Sequence, residues 1–333
     1  MSSILMYVLL ILGFALLIKG ADYFVEGASS LAKLLRIPSI IIGLTIVAMG
    51  TSLPEASVSI TAALDGANEL SLSNVVGSNI FNLLVVAGAS ALFRAMPIQK
   101  DVLRRDFPFS ILATAVTLLI SVCFPLMQGF RLTGDGAGVL NRPEGLILLI
   151  LFGIYLFLMV RSALSSRKNS SDEETYDTYS PIRTAAYIIL GIIAIIIGGN
   201  LVVDSASNIA ASFGLSETLI GLTIVAVGTS LPELVTSIVA ARKDQCDLAM
   251  GNVIGSNIFN LLLVLGASCA LHPISVNYES IFDLIFLIVI SIIVWLFAWS
   301  KHTISKKKAS PCFSYIWDTS PISLSVKDTL GEY

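Results

Sequence analysis

The chain has 333 residues, of which 55% are hydrophobic and only 13% charged, and its formal net charge at pH 7 is −3. Soluble domains carry about 25% charged residues, so this composition excludes an ordinary soluble enzyme or binding domain and predicts an integral membrane protein. The near-neutral charge gives no indication of nucleic-acid binding. The cysteines, Cys123, Cys246, Cys269 and Cys312, lack the spacing of a metal site.

Apolar segments long enough to cross a bilayer, about 17–25 residues, recur along the chain. They predict nine membrane spans, at residues 4–26, 39–64, 71–93, 107–127, 144–161, 183–210, 217–241, 247–271 and 279–300. A polar connection, Arg161–Pro181, separates the first five spans from the last four. The predicted organisation is therefore a first half (1–161), a linker (162–182), a second half (183–302) and a polar tail (303–333).

The basic residues predict the orientation of these spans. Most lysines and arginines fall in loops that alternate spans place on one face, including the central linker and the lysine run Lys306–Lys308. Cytoplasmic loops carry the excess of positive charge in membrane proteins. We therefore expect the N-terminus outside and the central linker in the cytoplasm of a cell whose plasma or inner membrane holds the protein.

An internal repeat relates the two halves. A shift of 178 residues aligns Gly43–Ser90 with Gly221–Ser268 without a gap, and 31 of 48 positions are identical. Because five spans, an odd number, separate the two copies, they cross the membrane in opposite directions. Inverted repeats with broken helices and a site at the midplane are the architecture of secondary transporters. The predicted fold is thus an all-α polytopic bundle.

Symmetry between the halves calls for a tenth span that matches Pro143–Arg161. The residues after Lys308 are instead polar and show no helical period. Reading the codons of Ala309–Thr319 one base earlier would yield a mostly apolar segment if the serines use TCN codons. We therefore consider a frameshift near the lysine run, and the alternative is a genuine polar tail.

The motif GTSLPE occurs in both copies of the repeat and places a carboxylate in the middle of an apolar span. The proline at Pro54 or Pro232 removes a backbone donor and should break each helix. Backbone carbonyls freed at bilayer depth are tolerated where they line a cavity or hold an ion. A charge at midspan costs several kcal/mol, so Glu55 and Glu233 predict a functional site.

A second doubled motif lies downstream, as NVVGSNIFN (Asn74–Asn82) and NVIGSNIFN (Asn252–Asn260). Ser78 and Asn82 are four residues apart and share one helix face. Together with the glutamates, these side chains form an all-oxygen set, which suits hard cations such as Ca²⁺ and Na⁺. A packing role remains open for the glycines Gly43, Gly77, Gly221 and Gly255, and a helix-tying role for Asn82 and Asn260.

The charge of the two glutamates favours a divalent ion. Two ionised carboxylates offset one Ca²⁺, which leaves the loaded site near neutral in a medium of low dielectric constant. Without a cation, the carboxylates would repel each other and tend to take up a proton or Na⁺. Ca²⁺ and monovalent cations would thus compete for the same oxygens, which is the physical basis of exchange.

At these motifs the chain resembles the cation/calcium exchanger superfamily, in particular its prokaryotic sodium/calcium exchanger-like branch. GTSLPE in both copies, with SNVVGSN and GNVIGSN downstream, is similar to the two alpha-repeats of that family. The resemblance implies ten helices in two inverted five-helix halves, with spans 2, 3, 7 and 8 around the ions. Spans 1 and 6 would slide against this core during alternating access.

The resemblance also implies a set of ion ligands. The Ca²⁺ site would use Glu55, Glu233 and the carbonyls of Thr51 and Thr229. Sodium sites would add Ala48, Ser78, Ala226 and Ser256, with Asn82 and Asn260 at the centre and Ser52 and Ser230 supporting the glutamates. Well-known sodium/calcium members carry Asp at the position of Asn260, so the counter-ion and its stoichiometry stay open.

The predicted function is a secondary antiporter that exchanges Ca²⁺ for Na⁺ by alternating access. The nearest alternative is a proton/cation antiporter that uses the same glutamates, with H⁺ or K⁺ as a possible further ion. A passive cation channel and an intramembrane hydrolase are weaker alternatives. We expect no enzymatic activity, no cofactor, no nucleic-acid partner, and a monomer in the lipid bilayer.

Overall fold

The computed structural model describes residues 3–66, 68–127, 138–169, 179–215, 220–299 and 302–304. Its membrane-crossing helices are long and apolar. They are α1 (Ile4–Leu35), α2 (Ser39–Thr51), α3 (Leu53–Leu64), α4 (Leu70–Phe93), α5 (Val102–Val122), α6 (Arg142–Arg167), α7 (Pro181–Ser212), α8 (Thr223–Thr229), α9 (Leu231–Arg242), α10 (Cys246–Leu271) and α11 (Tyr278–Trp299).

Two helix pairs within the described residues are bent spans. The axes of α2 and α3 differ by 50°, and those of α8 and α9 by 49°. If each bent pair crosses once, the described part of the chain has nine spans, in the places that the apolar segments predict. The all-α polytopic class is therefore confirmed. The predicted tenth helix and most of the polar tail lie outside the described residues.

The first and sixth spans are longer than predicted. Hydropathy ended the first span at residue 26, but α1 continues to Leu35 and, at 32 residues, is about 48 Å long. Its last turns carry polar side chains that the apolar pattern does not register. Glu26 bonds the ammonium group of Lys243 at the end of α9 at 2.7 Å, so a tertiary contact accommodates the charge.

Helices α1 and α7 form a close antiparallel pair through glycines spaced seven residues apart. A Cβ added at Gly20 would lie 2.9 Å from the Ala194 side chain, and one at Gly198 would lie 2.7 Å from the backbone nitrogen of Leu17. Gly13, Gly27 and Gly191 continue this seam. Small residues let membrane helices approach at backbone distance, so α1 and α7 are packed as one unit.

The repeat extends to backbone details that are invisible to hydropathy. Five π-helical segments occur in the described residues, at Gly43–Val47, Asn82–Val86, Val102–Asp106, Gly221–Val225 and Asn260–Val264. Four of them form two pairs separated by the repeat distance. Such segments locally widen a helix and are frequent at functional sites. The core helices α2, α4, α8 and α10 thus share one irregularity.

Two short antiparallel ladders tie the loops. β1 (Met96–Pro97) pairs with β4 (Thr303–Ile304), with Met96 opposite Ile304, and β2 (Gly138–Leu140) pairs with β3 (Ile274–Val276), with Gly138 opposite Val276. The apolar pattern of the sequence does not predict these strands. They hold the loop after α4 and the loop after α10 in equivalent positions of the two halves.

Helices α4 and α10 occupy the centre of the bundle. An apolar 18-residue window of α10 is 83% buried, whereas that of α1 is 22% buried. Large apolar side chains such as Ile4, Phe157 and Ile182 lie on the outer surface, as expected where lipid takes the place of water. The doubled motifs therefore fall in the interior.

A left-handed turn follows corresponding helices of the two halves. Gly214 has φ +84°, and its counterpart Arg36 has φ 55°. A residue with a Cβ pays roughly 1 kcal/mol in this conformation, whereas glycine does not. Arg36→Gly should therefore raise the free energy of unfolding by about 1 kcal/mol, measured by denaturant titration of the detergent-solubilised protein.

The matched control is Gly214→Ala, which should lower the free energy of unfolding because it introduces a Cβ at the same turn. If Arg36→Gly were neutral or destabilising while Gly214→Ala behaved as expected, the turn at Arg36 would carry no conformational cost.

Candidate functional site

Each bent span breaks at a serine directly before the Leu-Pro-Glu segment. Ser52 has φ −86° and ψ 10°, and Ser230 has φ −90° and ψ 4°, which interrupts the helix without strain. Pro54 and Pro232 then occupy the first turn of the following helix, where no backbone donor is required. The same turn presents Glu55 and Glu233 at the positive end of the helix dipole.

Each of the two glutamates accepts a hydrogen bond from the opposite repeat. Both side chains are 0% exposed. The hydroxyl of Ser52 donates to Glu233 Oε1 at 2.7 Å, and the hydroxyl of Ser230 donates to Glu55 Oε1 at 2.9 Å. The break of each half therefore supports the carboxylate of the other half, and the two repeats form one site.

The site leaves a group of side-chain oxygens without a hydrogen bond. Within the described residues, these buried and unpartnered atoms include Glu55 Oε2, Glu233 Oε2, Asn82 Oδ1, Asn260 Oδ1, Ser78 Oγ and Ser256 Oγ. A buried oxygen without a partner costs about 1–3 kcal/mol. Six such oxygens, three from each repeat, indicate that the site is built to receive a positive group.

The rest of the predicted ligand set differs between the repeats. Ala48 and Thr51 are 0% exposed, whereas Ala226 is exposed and Thr229 is 8% exposed. Thr51 donates to Asn252 Oδ1 at 2.9 Å, which joins α2 to α10. The hydroxyl of Thr229 instead lies 3.4 Å from Ala226 O within its own helix. The first repeat is closed around the site and the second is open.

A cavity of about 380 Å³ reaches the open side of the site. Its walls come from α3, α7, α8 and α9, and include Pro54, Asp204 and Thr229. Asp204 lies in the last part of α7, which runs antiparallel to α1. The cavity therefore opens at the side of the bundle where α1 begins and α7 ends, here named the N-terminal side. The opposite side, where α7 begins, is the linker side.

Glycine packing explains how the linker side is closed. A Cβ at Gly43 would lie 2.8 Å from Leu248 O, and one at Gly255 would lie 2.6 Å from Leu44 O. Helix α2 thus contacts α10 at backbone distance. Gly77, the counterpart of Gly255, has nothing within 4 Å of the same position. The packing role applies to Gly43 and Gly255 here but not to Gly77. Gly221 lies outside the residues whose packing the structure describes.

The sequence did not predict four asparagine contacts, three of which are buried. Asn74 donates to Ser59 Oγ and Asn252 to Ser237 Oγ, both at 2.9 Å, which ties α4 to α3 and α10 to α9. Asn79 and Asn257 lie between the repeats and contact each other's backbone. Their recurrence at the same place in both copies of GSNIFN was the available signal.

No group of three or more His, Cys, Asp or Glu that could hold a metal lies together among the residues that the structure describes. The site combines two carboxylates with amide, hydroxyl and backbone oxygens. This donor set fits hard cations, whereas zinc and copper prefer nitrogen or sulfur ligands.

Comparisons with known proteins agree with this geometry. A family model described as "Sodium/calcium exchanger protein" matches residues 5–161 and 183–314. The inner membrane protein YrbG of Escherichia coli (strain K12) is 37% identical over 303 residues, which are 88% of each chain. The sodium/calcium exchanger MaX1 of Methanosarcina acetivorans is 35% identical over 308 residues, 83% of this chain and 86% of that protein.

A solved structure also matches over nearly the full length. The sodium-calcium exchanger NCX_Mj, in a crystal soaked with Na⁺ and without Ca²⁺, superposes with a TM-score of 0.81 at 30% identity. The match covers 96% of this chain and 99% of that one.

The glycine contacts generate a matched prediction. Gly255→Ala would push a methyl group against Leu44 O and the Ala48 side chain, and should destabilise the protein by about 1–3 kcal/mol. Gly77→Ala meets open space and should be neutral or slightly stabilising in a helix. Thermal unfolding in detergent measures both, and equal melting temperatures for the two variants would contradict the packing asymmetry.

Proposed function

Because the chain belongs to the sodium/calcium exchanger family, we propose that it exchanges Ca²⁺ for Na⁺ by alternating access to a midplane site built on Glu55 and Glu233. It is a multi-pass membrane protein and a cation antiporter of the sodium/calcium-exchanger type. The ions, the residues that bind them and the alternation are the proposal.

The six unpartnered oxygens carry the proposal. Four of them are Glu55 Oε2, Glu233 Oε2, Asn82 Oδ1 and Asn260 Oδ1. All four are buried, and none accepts a hydrogen bond within the described chain. One Ca²⁺ would supply these oxygens with a positive partner and balance both carboxylates. Na⁺ ions would compete for the same oxygens, so the binding of one cation excludes the other.

Alternating access is supported by the difference between the two repeats. Val47 is 1% exposed, whereas its counterpart Val225 is 36% exposed beside the cavity. Nearly identical sequences thus occupy a closed and an open environment. Exchanging these environments between the repeats would expose the same glutamates to the other side of the membrane.

A cluster of charges supports the closure of the linker side. The ammonium group of Lys243, at the end of α9, lies 3.2 Å from Asp22 Oδ1 and 2.7 Å from Glu26 Oε1 on α1. Burial lowers the pKa of Lys243, but the hydrogen bonds to Glu26 and Asp22 raise it, and the net change is upward. The charged lysine therefore holds the α1–α7 pair to the core.

Among the described residues, the position on the open side that is equivalent to Lys243 holds no cation. The repeat relates Lys243 to Asp65, Asp22 to Asn200, and Glu26 to Asp204. Closing the N-terminal side would bring α7 towards α3 with acidic and amide groups and no lysine between them. The charge pattern therefore favours the state seen here, and ion binding would have to supply the energy for the opposite state.

The predicted orientation favours one direction of transport. With the N-terminus outside and the linker in the cytoplasm, the cavity faces outside, and Na⁺ entering from outside would drive Ca²⁺ out. The H⁺/Ca²⁺ antiporter remains the second candidate, because buried carboxylates also accept protons when no cation is bound. A channel would need no counter-ion gradient.

Calcium flux in proteoliposomes tests the function. Wild type should move Ca²⁺ against an imposed Na⁺ gradient, and Glu55→Gln should reduce the flux by at least about 100-fold, since a neutral amide removes half of the charge that balances Ca²⁺. Glu144→Gln is the matched control. Glu144 is also buried, but it accepts from the backbone of Asn141 at the start of α6, so its flux should be unchanged.

The gradients decide between the candidates. Flux driven by Na⁺ and not by a pH gradient supports the sodium exchanger, and the reverse result supports the proton antiporter. Flux with neither gradient supports a channel. If Glu55→Gln exchanged Ca²⁺ normally, the assignment of the site would be wrong.

The lysine cluster yields a test of alternation. Lys243→Met should release the linker side by about 1 kcal/mol, or roughly five-fold in the equilibrium between states, because the cluster is partly exposed. With the native cysteines replaced, a cysteine at position 47 should then be labelled faster and one at position 225 more slowly. Arg242→Met, at an exposed neighbouring position, is the control and should change neither rate.

A further inference from the structure

We infer that Asn79 and Asn257 are positioning residues that set which face of the Asn82 and Asn260 amides points at the ions. The inference rests on the proposed function, since it concerns how the same site presents its oxygens to a cation. Neither residue was among the predicted ligands, and neither has an unpartnered atom directed at the site.

The starting observation is a reciprocal contact between the two halves. Asn79 Nδ2 donates to the backbone oxygen of Asn257 at 3.0 Å, and Asn257 Nδ2 donates to the backbone oxygen of Asn79 at 3.3 Å. Both side chains are buried, at 0% and 1% exposure. The pair lies where α4 crosses α10, so water does not compete for these groups.

Backbone oxygens give this pair a fixed polarity. A carbonyl oxygen can only accept a hydrogen bond, so each asparagine must turn its NH₂ group towards the backbone of the other. The side-chain oxygen of each then points the opposite way. Asn257 Oδ1 accepts from Asn82 Nδ2, and Asn79 Oδ1 accepts from Asn260 Nδ2, both at 3.2 Å.

The orientation of this pair fixes the orientation of the Asn82 and Asn260 amides. Because Asn82 must present its NH₂ group to Asn257, its own oxygen faces the other way. Asn82 Oδ1 and Asn260 Oδ1 are the buried, unpartnered oxygens of the site. A rotated amide would set oxygen against oxygen at Asn257 and present an NH₂ group to the cation. The backbone carbonyls of Asn79 and Asn257 thus determine that Asn82 and Asn260 present acceptor oxygens to the ion.

The local helix geometry fits this role. Asn82 and Asn260 each begin a π-helical segment, at Asn82–Val86 and Asn260–Val264. Asn79 lies three positions before Asn82 on α4, and Asn257 lies three positions before Asn260 on α10, but the side-chain hydrogen bonds join the two helices. Each pair therefore crosses between repeats: Asn257 of the second half orients Asn82 of the first, and Asn79 orients Asn260.

The positioning effect of Asn79 and Asn257 should differ between an amide and a carboxylate at positions 82 and 260. An ionised aspartate in place of Asn82 has no hydrogen to donate to Asn257 Oδ1, but either of its oxygens can face a cation. An aspartate needs no orienting partner. The contribution of Asn257 to ion binding should therefore depend on which residue occupies position 82.

The test is Ca²⁺ binding by the purified full-length protein, measured from the Ca²⁺-dependent rise in melting temperature and by calorimetric titration. In the wild-type background, Asn257→Leu should weaken Ca²⁺ binding by about ten-fold or more, because Asn82 can then turn its NH₂ group to the ion. In the Asn82→Asp background, Asn257→Leu should cause no weakening. In the Asn260→Asp background it should weaken binding as in wild type.

Other outcomes overturn the inference. Equal weakening in all three backgrounds would mean that Asn257 acts only through packing, and no weakening in the wild-type background would mean that it does not act on the site. Loss of the effect in the Asn260→Asp background alone would contradict the assigned pairing. If the leucine variants are not monodisperse, Asn257→Ser replaces Asn257→Leu, because the serine side chain is too short to reach Asn82. Asn79→Ser combined with Asn260→Asp gives the equivalent test for the other asparagine pair.

Failure of the proposed function has a different signature. If Glu55→Gln bound Ca²⁺ as tightly as wild type, the site itself would be wrong, whatever the asparagine variants did. If Glu55→Gln lost Ca²⁺ binding while the asparagine cycle was additive, the site would stand and only the positioning role would fail.

Discussion

The structure depends on two carboxylates that are buried in the middle of a membrane bundle. Glu55 and Glu233 cannot be solvated by lipid, and their side chains have no exposure in this state. Each is placed at a helix N-terminus made by a serine break, and each accepts from the serine of the opposite repeat. The cost of burying charge is thus met jointly by the two halves, which is why neither half could form the site alone.

The same constraint explains the polar interior around these residues. Asparagine and threonine side chains of the core helices bond across helices, and both glutamates keep one oxygen without a hydrogen bond. In a low-dielectric interior a partly satisfied polar network is costly unless a ligand completes it. A cation that passes through would complete the network on either side of the membrane.

Close packing joins the helices into two units. The glycine seam joins α1 to α7, and the contact of Gly43 and Gly255 joins α2 to α10. Between α1 and the end of α9 the contact is ionic, through Lys243 with Asp22 and Glu26. A bundle with tight seams inside each unit and an ionic contact between units can change the side on which it is open without unfolding its core.

The class and the spans follow from the sequence alone, and the residues of the candidate site are predicted from it, because hydropathy, helix-breaking proline and buried charge are local properties. The inverted repeat also followed from identity at a fixed offset. The sequence could not show that Ser52 supports Glu233, that Asn257 orients Asn82, or that Ala226 is open while Ala48 is closed. Each of these depends on how one half packs against the other. Nearly identical motifs have identical local preferences, so only the tertiary structure could place them in different environments.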